Sequence, residues 1–301
     1  MRKFYKYHGA GNDFLLADVR TEPYAPGRDE IAALCDRHCG VGSDGLMLLG
    51  TAEGYDFRME FYNPDGSGGM MCGNGGRCIT AFARDLGIEP AADGSYTFLA
   101  PDGPHKAFLL EDAGRVKTIR LGMKDVSEYR PVDIPSFPSP SPSFPSPSPS
   151  SPAPSPSFPG LSRESSPWFL DTGTRHLVVF VDDVKAVDVD RAGRALRHLP
   201  QFAPVGVNVN FVERKGPGEI AVRTFEKGVE AETLACGTGI TASAIAAYLA
   251  APGTTDSFAS PGMTVKVHAL RHTLEVAFVP GETFTGVTLT GPAEKVAEIL
   301  V

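Results

Sequence analysis

Two stretches of the chain combine a thiol with a ready-made anion site. Cys72-Gly73-Asn74-Gly75-Gly76-Arg77-Cys78 leads into the helix-permissive run Ile79-Thr80-Ala81-Phe82-Ala83, and 164 residues later Cys236-Gly237-Thr238-Gly239 leads into Ile240-Thr241-Ala242-Ser243-Ala244. Each reads as a cysteine at the start of a helix. A thiol placed there sits at the positive end of the helix dipole, which is expected to lower its pKa. The free N–H groups of the same turn can hold a carboxylate. If the two helix ends face each other, two thiols flank one carboxylate. Inverting an amino-acid α-carbon needs a base on one face and an acid on the other, so a thiolate and a thiol would suffice, their roles exchanging with direction. Negative charge developing on the carboxylate would meet the N–H groups of Gly73-Asn74 and Gly237-Thr238, as in an oxyanion hole.

Competing readings of Cys72 and Cys236 are a redox pair, two buried structural cysteines, or a noncatalytic amino-acid-binding protein with oxidisable thiols. Core packing does not require glycine directly after each cysteine, which argues against simple burial. Cys78, six residues beyond Cys72, reads as a small buried hydrophobe. Cys35-x3-Cys39 with His38 has metal-like residue types, but no second ligand pair lies at zinc spacing; no metal and no cofactor are expected. Five cysteines in 301 residues do not make a disulfide framework.

The elements that must position these residues follow from pattern. Residues 4–8 and 15–18 read as strands around the Gly9–Phe14 turn, 28–38 as a helix with Ile31, Leu34 and Cys35 inward, and 46–49 as a buried strand. Residues 57–62 alternate strictly and run into the turn Asn63-Pro64-Asp65-Gly66, which can return Asn63 toward Cys72. The first Cys-headed helix is expected over 75–86. Strand-like runs at 96–100, 107–110 and 116–121 with short turns favour antiparallel pairing. After residue 167, strands are expected at 168–171, 176–181, 205–212 and 220–225, with a helix capped by Asp190 reaching Leu199. The second Cys-headed helix and closing strands through Val265, Leu274, Val276, Val287 and Leu289 follow. The order of elements is similar in the two halves.

Residues 135–159 hold 11 prolines and 10 serines; this composition predicts a solvated or disordered insertion. Net charge is −8 with no long basic run, so nucleic acid is not an expected partner. No apolar run is long enough to span a bilayer, and the first residues lack a signal-peptide core. A small-molecule substrate and a cytoplasmic, reduced setting are expected.

The chain resembles the diaminopimelate epimerase family. Lys6-Tyr7-His8-Gly9-Ala10-Gly11-Asn12-Asp13-Phe14, Tyr62-Asn63-Pro64-Asp65-Gly66, Met71 to Cys78, Gly206-Val207-Asn208, Glu232 to Gly239 and the closing Leu289-Thr290-Gly291-Pro292-Ala293 carry the resemblance, which spans nearly everything but the Pro/Ser stretch. It implies an α/β fold (α+β type) of two pseudo-symmetric domains, each a mainly antiparallel sheet wrapped around a central helix, with the site in the cleft between them. The domains would be 1–122, with 289–301 packing back on it, and 123–288. It implies cofactor-independent interconversion of LL- and meso-2,6-diaminopimelate, on the route to lysine and peptidoglycan, and a homodimer. Cys72 and Cys236 would be the two bases. Asn12, Asn63, Gly73, Asn74, Asn208, Glu226, Lys227, Gly237 and Thr238 would bind substrate, and His176 and Glu226 would tune the thiols.

Three positions depart from the family pattern: Lys227 stands in place of Arg, Thr174-Arg175 in place of Asn-Pro or Ser-Pro, and Gly45 in place of Gln. Arg175 could supply the guanidinium that Lys227 lacks. These changes touch the distal end of the substrate rather than the thiols. The nearest rival reading is a related racemase or isomerase, of the proline or hydroxyproline type.

Overall fold

A computed structural model describes residues 1–69, 71–134, 166–250 and 263–301. The Pro/Ser-rich insertion expected over 135–159 lies outside the described residues. The first half of the chain contributes β1 (Lys3–Gly9), β2 (Asn12–Asp18), α1 (Arg28–Cys35), β3 (Leu46–Gly50), β4 (Phe57–Tyr62), α2 (Gly73–Asp85), β5 (Ser95–Ala100), β6 (Gly103–Ala113) and β7 (Val116–Gly122). The second contributes β8 (Tyr129–Pro131), β9 (Trp168–Asp171), β10 (Arg175–Phe180), α3 (Val189–Arg197), β11 (Asn208–Gly216), β12 (Glu219–Glu226), β13 (Ala231–Thr233), α4 (Gly237–Leu249), β14 (Met263–His268), β15 (Thr273–Val279) and β16 (Thr285–Leu300).

One pairing pattern occurs twice. In the first half β1–β2 is antiparallel, β2–β3 parallel, β3–β4 antiparallel, β4–β5 parallel, and β5–β6 and β6–β7 antiparallel. In the second half β9–β10 is antiparallel, β10–β11 parallel, β11–β12 antiparallel, β12–β14 parallel, and β14–β15 and β15–β16 antiparallel. The helices fall at matching points. α1 and α3 cross over within a parallel pair, and α2 and α4 within the next. The internal repeat that element order hints at is therefore a repeat of hydrogen-bond topology. The halves are joined by β16, which pairs with β15, then β7, then β1 along its length.

In each half the sheet curls around one helix. All of Gly73–Ala83 in α2 is buried, among Tyr7, Phe14, Met47, Phe57, Met59, Phe98 and Leu121. α4 is buried from Gly239 to Ala247, against Val178, Val212, Val222, Val265, Val276 and Leu289. A helix enclosed on all sides must be apolar all round rather than striped, and α4 meets this with alanines and isoleucines. The surrounding strands alternate inward and outward, as in β4 and β14. β3, buried on both faces, reads as a continuous apolar run.

Some boundaries differ from expectation. α1 ends at Cys35, with Asp36 accepting the N–H groups of His38 and Cys39, so the chain turns before His38. β6 is longer than its apolar run because pairing with β5 and β7 carries it through polar residues. Asp188, not Asp190, caps α3 by accepting the N–H of Arg191, and the helix stops at Arg197. Asp190 instead accepts the N–H of Glu232 and ties α3 to β13.

Candidate active site

The N-termini of α2 and α4 abut. Cys72 and Cys236 are the residues immediately before each helix, both in extended backbone. The glycine after each cysteine is what lets the helices approach: a Cβ on Gly237 would stand 3.3 Å from the Cα of Gly73 and 3.6 Å from the N of Asn74. Gly239 is needed for a second reason, since a Cβ there would lie 2.3 Å from Oδ1 of Asn210. Asn74 stitches the seam, its Nδ2 donating to the carbonyl of Ala235 (2.8 Å) and to Oδ1 of Asn12 (3.2 Å).

A cavity of about 1170 Å³ opens over this junction. Asn12, Asn63, Cys72, Gly73, Asn74, Asn208, Glu226, Lys227, Cys236, Gly237 and Thr238 all line it. His176 does not. It is fully buried behind the wall, with Nε2 2.9 Å from Oγ1 of Thr174 and 3.0 Å from Oγ1 of Thr238. Thr238 Oγ1 in turn lies 3.5 Å from Sγ of Cys236. Asn210 Nδ2 donates to His176 Nδ1 (3.1 Å), while Asn210 Oδ1 accepts from Thr224 (3.0 Å). That orientation leaves the single proton of a neutral imidazole on Nε2, aimed at the threonines. Burial, with the Lys227 charge second, pushes the His176 pKa down to about 3.

The thiols do not follow the simple expectation of lowered pKa values. Burial raises both, and the Glu226 carboxylate adds to the rise at each. The helix starts act in the opposite sense, as expected: N–H groups of Gly75 and Asn74 draw Cys72 down, and the Thr238 hydroxyl and the Gly239 N–H draw Cys236 down. Desolvation outweighs them at both sulfurs. Glu226 is itself pushed up by burial, although it accepts a hydrogen bond from Thr233 Oγ1 (2.9 Å).

Several cleft amides are already engaged. Asn208 accepts the N–H of Lys227 (2.8 Å) and donates to the carbonyl of Arg175 (3.2 Å), so it fixes the turn that carries Lys227. Asn12 donates to Asp44 Oδ2 (2.6 Å), and Asn63 to Ser67 Oγ (3.0 Å). Arg175 is exposed and absent from the cleft lining, so it does not replace a guanidinium there; Thr174 lines the wall instead. Gly45 has no room for a side chain, since a Cβ would lie 2.6 Å from the carbonyl oxygen of Tyr62.

Sequence reasoning passed over a charged wall of the cleft formed by Asp13, Arg37 and Asp44. Arg37 Nη2 lies 2.6 Å from a carboxylate oxygen of each aspartate. Asp44 lies in the glycine-rich turn over 40–45, and only the pairing of β2 with β3 brings it beside Asn12. Asn210, on the buried face of β11, gave no signal beyond its polarity in an apolar strand. Among the described residues no cluster of His, Cys, Asp and Glu has metal-binding geometry.

A family model described as diaminopimelate epimerase matches residues 4–123 and 168–295. The chain belongs to the diaminopimelate epimerase family. The diaminopimelate epimerase of Flavobacterium psychrophilum is 38% identical over 99% of this chain and 100% of its own length. That of Chlorobaculum tepidum is 36% identical over 96% of each. Among solved structures, a PhzF-family phenazine biosynthesis protein from Bacillus anthracis superposes with a TM-score of 0.69 at 16% identity, covering 100% of this chain and 99% of that one. A probable proline racemase from Agrobacterium radiobacter superposes with a TM-score of 0.63 at 18% identity, covering 100% and 93%. These two share the fold of two halves, each a sheet around a helix.

Proposed function

We propose that this chain is a cofactor-independent epimerase that interconverts LL- and meso-2,6-diaminopimelate by proton transfer between two cysteines. The observation that carries the reading is the abutment of two Cys-Gly helix starts, one from each half, at the floor of a single cleft. In the reaction, the thiolate of one cysteine takes the α-proton from one face of the substrate. The thiol of the other gives its proton to the opposite face. One proton leaves the carbon and one arrives, the sulfurs exchange protonation states, and no electron is gained or lost. N–H groups of Gly73-Asn74 and Gly237-Thr238 receive the α-carboxylate as charge builds on it; each such donor contributes on the order of 3 kcal/mol to the transition state.

The other residues act around this pair. His176, through Thr238, positions the Cys236 side of the site. Glu226 faces both thiols and takes a share of the substrate ammonium. Asn12, Asn63, Asn208 and Lys227 line the remainder and recognise the rest of the molecule, Lys227 as a carboxylate-binding cation. Residues 1–122 with 289–301, and 123–288, serve as the two domains. The product feeds lysine and peptidoglycan synthesis, and the protein works as a cytoplasmic homodimer.

The test is to incubate the reduced protein with LL-diaminopimelate in heavy water. Meso product with deuterium at the inverted α-carbon is expected. Absence of meso product, or meso product formed without solvent deuterium, would end the proposal. Cys72→Ala and Cys236→Ala should each abolish inversion without unfolding the protein. Running L-proline and hydroxyproline in parallel separates the rival racemase activity.

A further inference from the structure

Arg77 heads the largest side chains that are fully buried, with no exposed surface. Its guanidinium forms no ion pair among the described residues. Nη1 donates to the carbonyl of Gly73 (3.2 Å), Nη2 to Oδ1 of Asn74 (2.8 Å), and Nε reaches the carbonyl of Pro292 (3.5 Å). A guanidinium does not give up its proton in a protein. A buried cation without a fixed anion is unfavourable, and a charge of this kind invites a transient partner. This charge is bonded to Gly73, the residue next to Cys72.

The second half of the molecule lacks it. Thr241 follows Gly237 at the spacing by which Arg77 follows Gly73. Thr241 Oγ1 donates to the carbonyl of Gly237 (3.0 Å), as Arg77 Nη1 does to that of Gly73, but without charge. The repeat of topology thus places a cation behind one thiol and a hydroxyl behind the other.

We propose that Arg77 is a positioning residue that makes Cys72, rather than Cys236, the thiol of the pair that gives up its proton first. It also locks the Asn74 amide that ties Cys72's helix to Ala235, the residue before Cys236. This rests on the two-thiol reading above. The other charged groups near the pair do not create the same bias. Glu226, on β12, raises both thiols; His272, from the turn between β14 and β15, and Cys78, on α2 itself, feel the Arg77 charge. Arg77 also appears among the groups that draw the Cys72 thiol down, whereas the groups that do so at Cys236 are uncharged. Asn74 adds the geometric part. Arg77 holds its Oδ1, so Nδ2 must point across the seam to the carbonyl of Ala235 and, within its own half, to Asn12.

The test is the pH dependence of alkylation by iodoacetamide at each cysteine of the full-length reduced protein, resolved by peptide mass spectrometry. Access to the cleft scales the plateau rate and leaves the midpoint alone. In the unmodified protein the midpoint at Cys72 should be lower than at Cys236. Arg77→Met should raise the Cys72 midpoint by about one pH unit and move Cys236 by less, and Arg77→Lys should keep it near the original. Equal or reversed midpoints in the unmodified protein would overturn the assignment, as would an unmoved Cys72 midpoint in folded Arg77→Met. Should that variant fail to fold, Arg77→Gln, which keeps an amide donor toward Gly73 and Asn74 without the charge, takes its place, with the same rise at Cys72 expected and an unmoved midpoint overturning the assignment. Intact deuterium exchange with reversed midpoints removes Arg77 from this role and leaves the epimerase reading standing. Midpoints in the expected order with no exchange do the opposite.

Discussion

Gly73 and Gly237 meet face to face, so close that a Cβ on Gly237 would also contact the Leu289 side chain at 3.2 Å. Neither glycine has positive φ, so what each supplies is the missing side chain. Gly237→Ala should therefore keep both helices and spread their starts by a few tenths of an ångström. Chemistry that depends on two thiols on opposite faces of one carbon is sensitive to such a displacement. A fall in kcat of roughly 10- to 100-fold is expected, with a thermal midpoint only slightly lower. Steady-state kinetics beside a melting curve would check it; unchanged kcat would show that the contact is not needed for turnover.

His176 gives the fold a specific acid sensitivity. In the unfolded chain its imidazole titrates near the ordinary 6.5, and in the fold only at about 3. Between those values the unfolded chain binds more protons than the native one. Stability is therefore complete above the upper value and falls as the pH drops toward the lower. At pH 5 the loss from this group alone comes to about 2 kcal/mol. His176→Gln retains an amide donor toward Thr238 and removes the titration. Urea unfolding near neutrality and at pH 5 should show a smaller acid loss in the variant than in the parent, and identical losses would exclude His176 as the cause.

Much of this was legible in the sequence, for reasons that can be named. Glycine directly after cysteine, twice, marks a place where backbone must approach backbone, and Gly73 and Gly237 do so. Strict alternation in 57–62 and the apolar run of 46–49 report one-sided and two-sided burial, respectively. Hidden from the sequence were contacts that only long-range pairing creates. Asp44 reaches Asn12 because β3 lies parallel to β2, and Asn210 reaches His176 because β11 lies parallel to β10. The thiol pKa values were misjudged because the helix-end effect is local and visible, whereas desolvation depends on what the whole fold places around the sulfur. Asp188 rather than Asp190 is the cap, and Asp190 holds the N–H of Glu232 on β13, a long-range contact that local sequence does not display.

The Glu226 carboxylate raises both thiols. Removing its charge has two consequences that pull apart. Glu226→Gln should lower the alkylation midpoints of both Cys72 and Cys236, since a nearby anion no longer opposes thiolate formation. On the proposed function Glu226 also accepts from the substrate ammonium, so kcat/KM should fall by roughly 100-fold or more. More reactive thiols in a less active protein would be the signature. Midpoints that stay in place would mean that Glu226 does not act electrostatically on the sulfurs.

Lys227 sits on a turn held from three sides. Its own N–H goes to Asn208, the N–H of Gly228 goes to Glu230 (3.0 Å), and Glu230 is held by Arg197 at 2.7 Å. The backbone is thus fixed, and the Lys227 side chain lines the cleft without an ion pair among the described residues. A carboxylate of the substrate is the natural partner of such a cation. Its loss removes a charge-assisted hydrogen bond made equally in ground and transition states, which appears in KM rather than kcat. Lys227→Met should raise KM for diaminopimelate by roughly 10- to 100-fold with kcat changed far less. Lys227→Arg restores charge and adds a two-pronged donor, so its KM should return to or below that of the parent. Measuring both constants in the two variants distinguishes the cases. A kcat loss at constant KM in Lys227→Met would instead place this cation at the reacting carboxylate, beside the paired helix starts.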